Sequence, residues 1–586
     1  MGTRSLRDDR AGEGDIETDL LVFGSGAGGL SATLFGARAG LDVLLCEKRT
    51  HVGGTTATSG GGIWVPGTQA GLAAGDSIER ATAYLRGELG SHYRADLVET
   101  YLAQGARVIE SLNAQTEVRY ELSAWPDYHS DAPGGVRKGR TLFPAPFDGR
   151  LLGPDFALVQ PPMHRLMVLG GLMLGANEIE DFLHPLASAA TAGRVARKVA
   201  RYARDRLRHG RGTDLRFGNA LVARMLYSMP RERVSIWTEA PLVELLRDGE
   251  RICGAVVLHR GTARRVRARR GVVLATGGFP HNQEMLRTYG PAFPHRHSLG
   301  CPANVGEGIR AAQAVGAAMD TALASVANWT PASVVRDRQG RETPVIYGYL
   351  DRGRPGVIAV NAQGRRFVNE SNSYNDIVSA MFRDGGGREA AFHFVCDHAF
   401  VRRHGLGLVR PWPWTRSLAP YARSGYITVA DSLPELARRI GVDAASLVQT
   451  VERHNGYCRT GVDLEFGKGS TAYNRMFGHP SAAPNPNLAP IEAAPFVALR
   501  IHAASIGTTI GLKTTADAQV VGTGGDPIPG LYACGNDLAA IMRGGYPGGG
   551  TMIGPAIVFG CLAVEHMLQA RAATRQAAQP RVAQPA

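Results

Sequence analysis

Apolar and polar positions fall in blocks along the chain, and the first block sets the frame for the rest. The apolar run 20–23 passes directly into Gly24-Ser25-Gly26-Ala27-Gly28-Gly29, then into the alanine-rich, proline-free stretch 30–39, then into a second apolar run, 41–46. Short apolar runs beside glycine predict buried strands, and the stretch between them predicts a helix. Together they make one βαβ unit. Downstream, Ile78, Ala81, Leu85 and Leu89, and then Leu97, Tyr101, Leu102, Val108 and Leu112, repeat at helical spacing and predict two helices within 76–113. Residues 239–246 and 251–259 alternate as a hairpin, and 272–279 is an apolar strand that ends on Ala275-Thr276-Gly277-Gly278. Gly306 opens an alanine-rich helix. Beyond about Ser325 the pattern changes to loops and short strands, with helices predicted over 433–440 and 444–458. Five prolines within 480–495 mark a linker. The chain closes on a strand ending at Gly535, a glycine-rich run, 542–556, and an apolar helix, 556–568.

The glycines at 24, 26 and 29 have the Gly-x-Gly-x-x-Gly spacing, and each answers a different demand. Gly24 permits the turn, Gly26 clears the approach to a pyrophosphate, and Gly29 lets helix and strand pack closely. The helix start at Ala27 and Gly28 presents free N–H groups to phosphate. Glu47, 18 residues after Gly29 and followed by Lys48, closes the second strand where a carboxylate can accept hydrogen bonds from a ribose. Strand, helix, strand and acid together indicate a dinucleotide. The segment that follows is a second run of glycines and hydroxyls: Gly53, Gly54, Thr55, Thr56, Ala57, Thr58, Ser59, Gly60, Gly61 and Gly62. Its backbone can approach a flat ring closely and offer it hydrogen bonds. An NAD site has no need of such a segment.

These residues resemble the FAD-binding half of the fumarate reductase and succinate dehydrogenase flavoprotein superfamily, and more closely the 3-oxosteroid 1-dehydrogenases. The resemblance implies an α/β chain with a Rossmann-like FAD-binding domain of the two-dinucleotide-binding-domain type and an inserted α+β catalytic domain. The expected division is a disordered start, 1–18; a first FAD-binding part, 19–325, with a basic helical lobe near 155–216; a catalytic domain, 326–495; a second FAD-binding part, 496–570; and a disordered tail, 571–586. Further cofactor contacts implied are Val243, Ala275, Thr276, Gly277, Gly535, Asn536, Gly550, Met552 and Ile553, the last three beside a helix N-terminus aimed at the pyrimidine end of the flavin. The flavin-linking histidine that succinate dehydrogenases carry near Thr55 is missing, which implies FAD held without a covalent bond, although His51 lies close by.

The run Tyr546-Pro547-x-x-Gly550-x-x-x-Gly554-Pro555, the loop around Asp127-Tyr128 and the segment 365–376 also resemble the 3-oxosteroid 1-dehydrogenases. That resemblance implies desaturation between carbons 1 and 2 of a 3-ketosteroid, in steroid degradation. Tyr546 and the Gly550 N–H would bind the ketone oxygen, Tyr374 would take the proton from carbon 2, and Tyr128 would hydrogen-bond to Tyr374. A hydride would pass from carbon 1 to FAD. Arg543-Gly544 stands where the family more often has lysine and threonine. Reoxidation is expected to use a quinone or a carrier protein, since no second dinucleotide fingerprint for NAD(P)H is present. The rivals are a 3-oxosteroid 4-dehydrogenase, a fumarate reductase-like enzyme and a non-enzymatic electron-transfer flavoprotein at a membrane surface.

Composition changes this picture little. The chain has 586 residues, 44% hydrophobic and 20% charged, enough for two domains with their own cores. Seven scattered cysteines with no Cys-x-x-Cys pair indicate neither a disulfide framework nor a metal site, and they fit a cytoplasmic protein. The first 18 residues lack the apolar centre of a signal peptide, and the glycine-broken stretch 163–179 falls short of a membrane span. The net charge of +13 favours anionic partners. No basic stretch interleaved with aromatics is present, which excludes nucleic acid as the expected partner. Residues 194–216 carry nine arginines and lysines against Asp205 and Asp214, with Val195, Val199, Ala203 and Leu207 on another face. Such a helix can lie on anionic lipid, so peripheral membrane association stands beside the plainer reading of a solvated helix face.

Overall fold

Strand Ile16–Phe23, which leads into the glycine turn, lies in the middle of a sheet ordered Val234–Trp237, Val43–Cys46, Ile16–Phe23, Thr262–Leu274, Arg251–His259, Leu242–Asp248. The computed structural model describes residues 5–7, 15–163, 167–290, 297–346, 349–386 and 390–577. The first four strands of the sheet run parallel, and Pro527–Ala533 adds in parallel to the end of Thr262–Leu274. Leu20, Leu21 and Val22 are fully buried. Parallel strands are covered on both faces, which is why this one reads as an unbroken apolar run.

Two helices of small residues cover the strand. Helix Ala27–Arg38 packs against the C-terminal helix Ile553–Ala577, where the Ser31 hydroxyl donates to Ile557 O at 2.7 Å. A Cβ on Gly560 would stand 2.6 Å from Gly28 O, so glycine sets this close approach. Residues 553–570 are long and apolar enough to cross a membrane by length and composition. Here Ile557, Val558, Phe559, Cys561, Ala563 and Val564 are buried in the same core as the glycine turn.

A second sheet carries the other half of the molecule. Its order is Glu342–Ile346, Ala327–Arg336, Phe496–Thr508, Phe392–Asp397, Val357–Val360, all antiparallel. Helix Tyr374–Asp384 packs on it, and helices Leu433–Ile440 and Ala444–Thr460 close the edge around Ile358, Val395 and Leu447.

The structure departs from the sequence expectations at three boundaries. Residues 496–508 were expected in the FAD-binding part, yet strand Phe496–Thr508 is central to the second sheet. Its apolar half pairs with Phe392–Asp397, and only after Thr508 does the chain return to the flavin side. Within the expected disordered start, Leu6 is fully buried with its carbonyl accepting Ile236 N at 2.9 Å, and the first strand begins at Ile16. Helix Ile553–Ala577 runs seven residues into the expected disordered tail, continuing an alanine-rich helix that nothing interrupts. Residues 1–4, 8–14, 578–586 and, within the apolar stretch 163–179, residues 164–166 lie outside the described residues.

Candidate active site

The glycine turn separates into packed and open positions. A Cβ on Gly24 would meet Ala275 O at 2.2 Å, and one on Gly29 would meet Gly24 O at 1.8 Å, so both glycines are required by close packing. On Gly26 a Cβ would meet only Thr56 Oγ1 at 3.7 Å, and on Gly54 nothing within 4 Å. The open side of the turn is therefore a cradle into which a pyrophosphate fits, with the start of helix Ala27–Arg38 behind it. Glu47 is buried at the end of its strand. Its Oε2 accepts Ser25 N at 3.1 Å and the Ser25 hydroxyl, while Oε1 accepts Arg49 N at 2.9 Å. Burial raises its pKa despite those bonds. Lys48 is ion-paired with Glu307.

The hydroxyls of the second glycine segment build its loop. Thr56 Oγ1 accepts Ala27 N at 3.0 Å, Thr55 Oγ1 accepts Cys301 N at 2.8 Å, and Ser59 Oγ donates to Thr56 O at 2.7 Å and accepts Gly61 N at 3.0 Å. A Cβ on Gly61 would meet Gly218 N at 2.6 Å, and one on Gly62 the Phe143 ring at 2.8 Å, so both glycines are required by packing. Ala275, Thr276 and Gly277 are fastened to the Gly535-Asn536-Asp537 turn through Asp537, which accepts Thr276 N at 2.5 Å and Gly278 N at 2.9 Å. Burial pushes the Asp537 carboxyl up to about 6. No sequence signal distinguished this aspartate from its motif neighbours. Asn536, Thr551, Met552 and Pro555 line a cavity at the start of helix Ile553–Ala577. Val243 lies at an irregularity between Leu242 and Glu244 in the pairing of strand Leu242–Asp248, whose approach is tied to the end of strand Val43–Cys46 by Ala240 N donating to Glu47 O at 3.0 Å. Such a bulge leaves a residue's backbone unpaired and available to a ligand. His51 bonds its neighbour Thr50 at 2.9 Å. Among the described residues no group of three or more His, Cys, Asp or Glu could hold a metal ion.

The three tyrosines singled out in the sequence, hundreds of positions apart, come together in one buried cluster. The Tyr128 hydroxyl donates to the Tyr374 hydroxyl at 3.2 Å. Tyr128 and Tyr546 stack at 5.6 Å between centroids and 16° between planes, and Tyr374 meets Tyr546 edge-on at 5.1 Å. Sequence reasoning missed Tyr473, Phe477 and Ile506, which complete the cluster with Trp125 and Met552. Tyr473 lies 4.8 Å from Tyr128 but sits in the short helix Ala472–Met476, where no periodicity marks it.

Each tyrosine is held by its own support. Tyr128 N donates to Pro547 O at 2.9 Å, tying the first loop to the residue after Tyr546. Asp127 beside it accepts Trp64 Nε1 at 2.8 Å and Arg140 Nη1 at 2.7 Å, with Asp76 on the other side of that buried guanidinium. Burial raises the Asp127 carboxyl to about 6 even against Arg140. Tyr374 opens its helix, capped by Ser373 Oγ, which accepts Asp376 N at 3.2 Å. Upstream, Arg366 is buried between Glu370 and Asp463 in four bonds of 2.9 Å, with Lys468 3.4 Å from Glu370. Arg543, the departure from the family pattern, is paired at 2.7 and 3.0 Å with Asp320, so its charge is neutralised on the far side of the Tyr546 turn. Gly550 has φ of +100°, and a Cβ there would lie 2.4 Å from Gly62 O and Ile63 N. The tyrosine-bearing run is thus pressed directly onto the second glycine segment, beside Met552 and Ile553.

The basic helix spans Ala189–His209. Val195 and Val199 pack against Leu172, Leu174 and Phe182, so half of the helix's apolar face is used within the lobe, while Ala203 and Leu207 are exposed. Arg194 pairs with Asp181, and Lys198 with Glu178 and Asp214. Leu207 is 89% exposed.

Three comparisons with known proteins bear on the fold and the cofactor. A family model described as FAD binding domain matches residues 19–553. The chain is 38% identical to the 4-oxocyclohex-2-ene-1-carboxylate 5-dehydrogenase of Sinomonas cyclohexanicum, covering 93% of this chain and 92% of that one. It is 33% identical to the 3-oxosteroid 1-dehydrogenase of Mycobacterium tuberculosis, over 94% and 98% of the two chains. The crystal structure of 3-ketosteroid delta1-dehydrogenase from Sterolibacterium denitrificans, in complex with 1,4-androstadiene-3,17-dione, superposes with a TM-score of 0.86 at 33% identity, over 94% of this chain and all of that one. The chain belongs to the FAD-binding domain family and is an FAD-dependent oxidoreductase acting on CH–CH bonds.

Proposed function

We propose that this enzyme introduces a double bond between carbons 1 and 2 of a 3-ketosteroid. The observation that carries the reading is the arrangement of Tyr128, Tyr374 and Tyr546 around one buried space, with two hydroxyls 3.2 Å apart. A carbon beside a ketone is a weak acid, so removing its proton requires stabilising the enolate oxygen. The Tyr546 hydroxyl and the Gly550 N–H are the donors assigned to that oxygen. Tyr374 takes the proton from carbon 2. An ordinary tyrosine, with a pKa of about 10, is a poor base at neutral pH. The Tyr128 hydroxyl, donating to Tyr374, stabilises its ionised form. FAD held without a covalent link by the glycine turn 24–29 would supply the acceptor for a hydride from carbon 1, with a quinone or carrier protein as the onward electron acceptor.

Two observations favour a fused, apolar substrate. The walls of the cluster are Trp125, Tyr473, Phe477, Ile506 and Met552. The neighbouring cations Arg140 and Arg543 are each held by aspartates, and neither is available to clamp a substrate carboxylate. That argues against a fumarate reductase-like reaction. The second reading, desaturation of a single-ring oxocyclohexane carboxylate, draws on the 38% identity to the Sinomonas enzyme and uses the same tyrosine chemistry. Anaerobic mixing separates them. Bleaching of the flavin by 4-androstene-3,17-dione with formation of the 1,4-diene supports the steroid reading, and bleaching only by 4-oxocyclohex-2-ene-1-carboxylate refutes it.

A further inference from the structure

The segments that bear the tyrosines share a second connection. His129, the residue after Tyr128, reaches Glu88 Oε2 through Nδ1 at 2.8 Å and Asp376 Oδ2 through Nε2 at 3.0 Å. An imidazole facing a carboxylate at each nitrogen donates from both, which is the imidazolium form. Burial disfavours that charge, yet the bonds to Asp376 and Glu88 outweigh it and hold the pKa up to about 11. Asp376 is held below the usual carboxylate range, its burial outweighed by the His129 bond. The titratable groups facing His129 are Glu88 from helix Ile78–Leu89, Asp376 from helix Tyr374–Asp384, and the Tyr84 hydroxyl, which accepts His129 N at 3.2 Å. Tyr84 in turn donates to Pro547 O at 2.8 Å.

His129 is therefore linked to all three tyrosine-bearing segments. It adjoins Tyr128 in the chain, it grips the helix that starts at Tyr374 through a side chain two residues on, and it reaches Pro547 beside Tyr546 by way of Tyr84. The Tyr128 loop follows the flavin-side elements, whereas the Tyr374 helix packs on the second sheet, and the hydroxyl contact between them is a single bond of 3.2 Å.

We propose that His129 is a positioning residue, an ionic clamp between Glu88 and Asp376 that holds the Tyr128 loop against the Tyr374 helix and keeps the two hydroxyls aligned for proton removal. The proposal rests on the assignment of Tyr374 as base. The clamp acts through alignment, on which proton transfer depends steeply.

The test compares His129→Ala and His129→Gln with the parent in anaerobic flavin reduction by 4-androstene-3,17-dione across about pH 6 to 10, alongside FAD content and melting temperature. Expected are an about tenfold or larger loss of the reduction rate in the alanine variant, little change in the steroid concentration giving half-maximal rate, and an upward move of the alkaline limb that reports the tyrosine pair. The glutamine, whose NH2 can donate to one of the two carboxylates while its oxygen cannot donate to the other, should recover only part of the rate. A parental rate and pH profile in both variants would overturn the clamp. So would a fall in rate that merely follows loss of FAD. Tyr374→Phe is run in parallel: if it keeps its rate, the base assignment fails independently of the His129 result.

Discussion

The sharpest test of the oxyanion donor is Gly550→Ala. At φ of +100° an alanine is strained by about 1–2 kcal/mol, but the larger effect is steric. The new methyl would lie 2.4 Å from Gly62 O and from the N and Cα of Ile63, all backbone atoms. Ordinary contact begins near 3.5 Å, so the strands must part by about 1 Å. Ile63 is fixed by pairing with Leu142, and Trp64 by its bond to Asp127, so the 546–554 run has to yield. A misplacement of about 1 Å in a reacting constellation costs on the order of 10²-fold, and loss of an oxyanion donor about 10²–10³-fold, or roughly 3–4 kcal/mol. Stopped-flow measurement of flavin reduction should show that loss while FAD remains bound. Gly549→Ala is the control, because its Cβ would meet only the side chains of Thr141 and Trp125, at 3.4 Å. A Gly550→Ala enzyme with full FAD and a rate within about threefold of the parent would refute the donor assignment and the packing argument with it.

Further substitutions address the base and its scaffold. Tyr374→Phe should abolish flavin reduction and leave FAD bound, read by absorbance of the purified protein; Tyr128→Phe should slow reduction by about 10²-fold, the lower end of general-base effects. Arg366→Met removes the partner of two buried carboxylates, a change that costs about 3–5 kcal/mol. At about 2.1 cal/mol/K per residue over 586 residues, the melting temperature should fall by roughly 2–4 °C with little direct effect on flavin chemistry. Arg366 and Lys468 overcome burial to hold Glu370 down to about 2, against an ordinary value of 4.5. Since the unfolded chain takes up that proton first, the stability Glu370 contributes is complete above pH 4.5 and is lost as pH falls toward 2. Melting temperatures across that window should fall less steeply in Arg366→Met than in the parent.

Local spacing was enough for the flavin half because its chemistry is written in consecutive residues. A strand, a glycine turn and a helix N-terminus must be contiguous to hold a phosphate, so residues 20–47 state the nucleotide-binding unit outright, whereas the flavin is what the family resemblance of 53–62 implies. Helices with one apolar face, such as Ile78–Leu89 and Ala444–Thr460, were legible for the same reason: their period lies within a few turns. The resemblance to a known family, not periodicity, singled out Tyr128, Tyr374 and Tyr546.

What only the tertiary structure decided depends on contacts between distant residues. That Phe496–Thr508 belongs to the second sheet follows from its partners Ala327–Arg336 and Phe392–Asp397, which no local pattern reveals. Tyr473 enters the aromatic cluster, Asp537 fastens two glycine turns, and His129 finds two carboxylates only because 41 and 247 positions of chain are folded between the partners. The sequence alone therefore determined that the first half is built to hold a dinucleotide, since backbone N–H groups and missing side chains act where they stand. The alignment of the tyrosines and the charges that hold them belong to the folded chain, because a proton passes between two hydroxyls only when packing has brought them within hydrogen-bond reach.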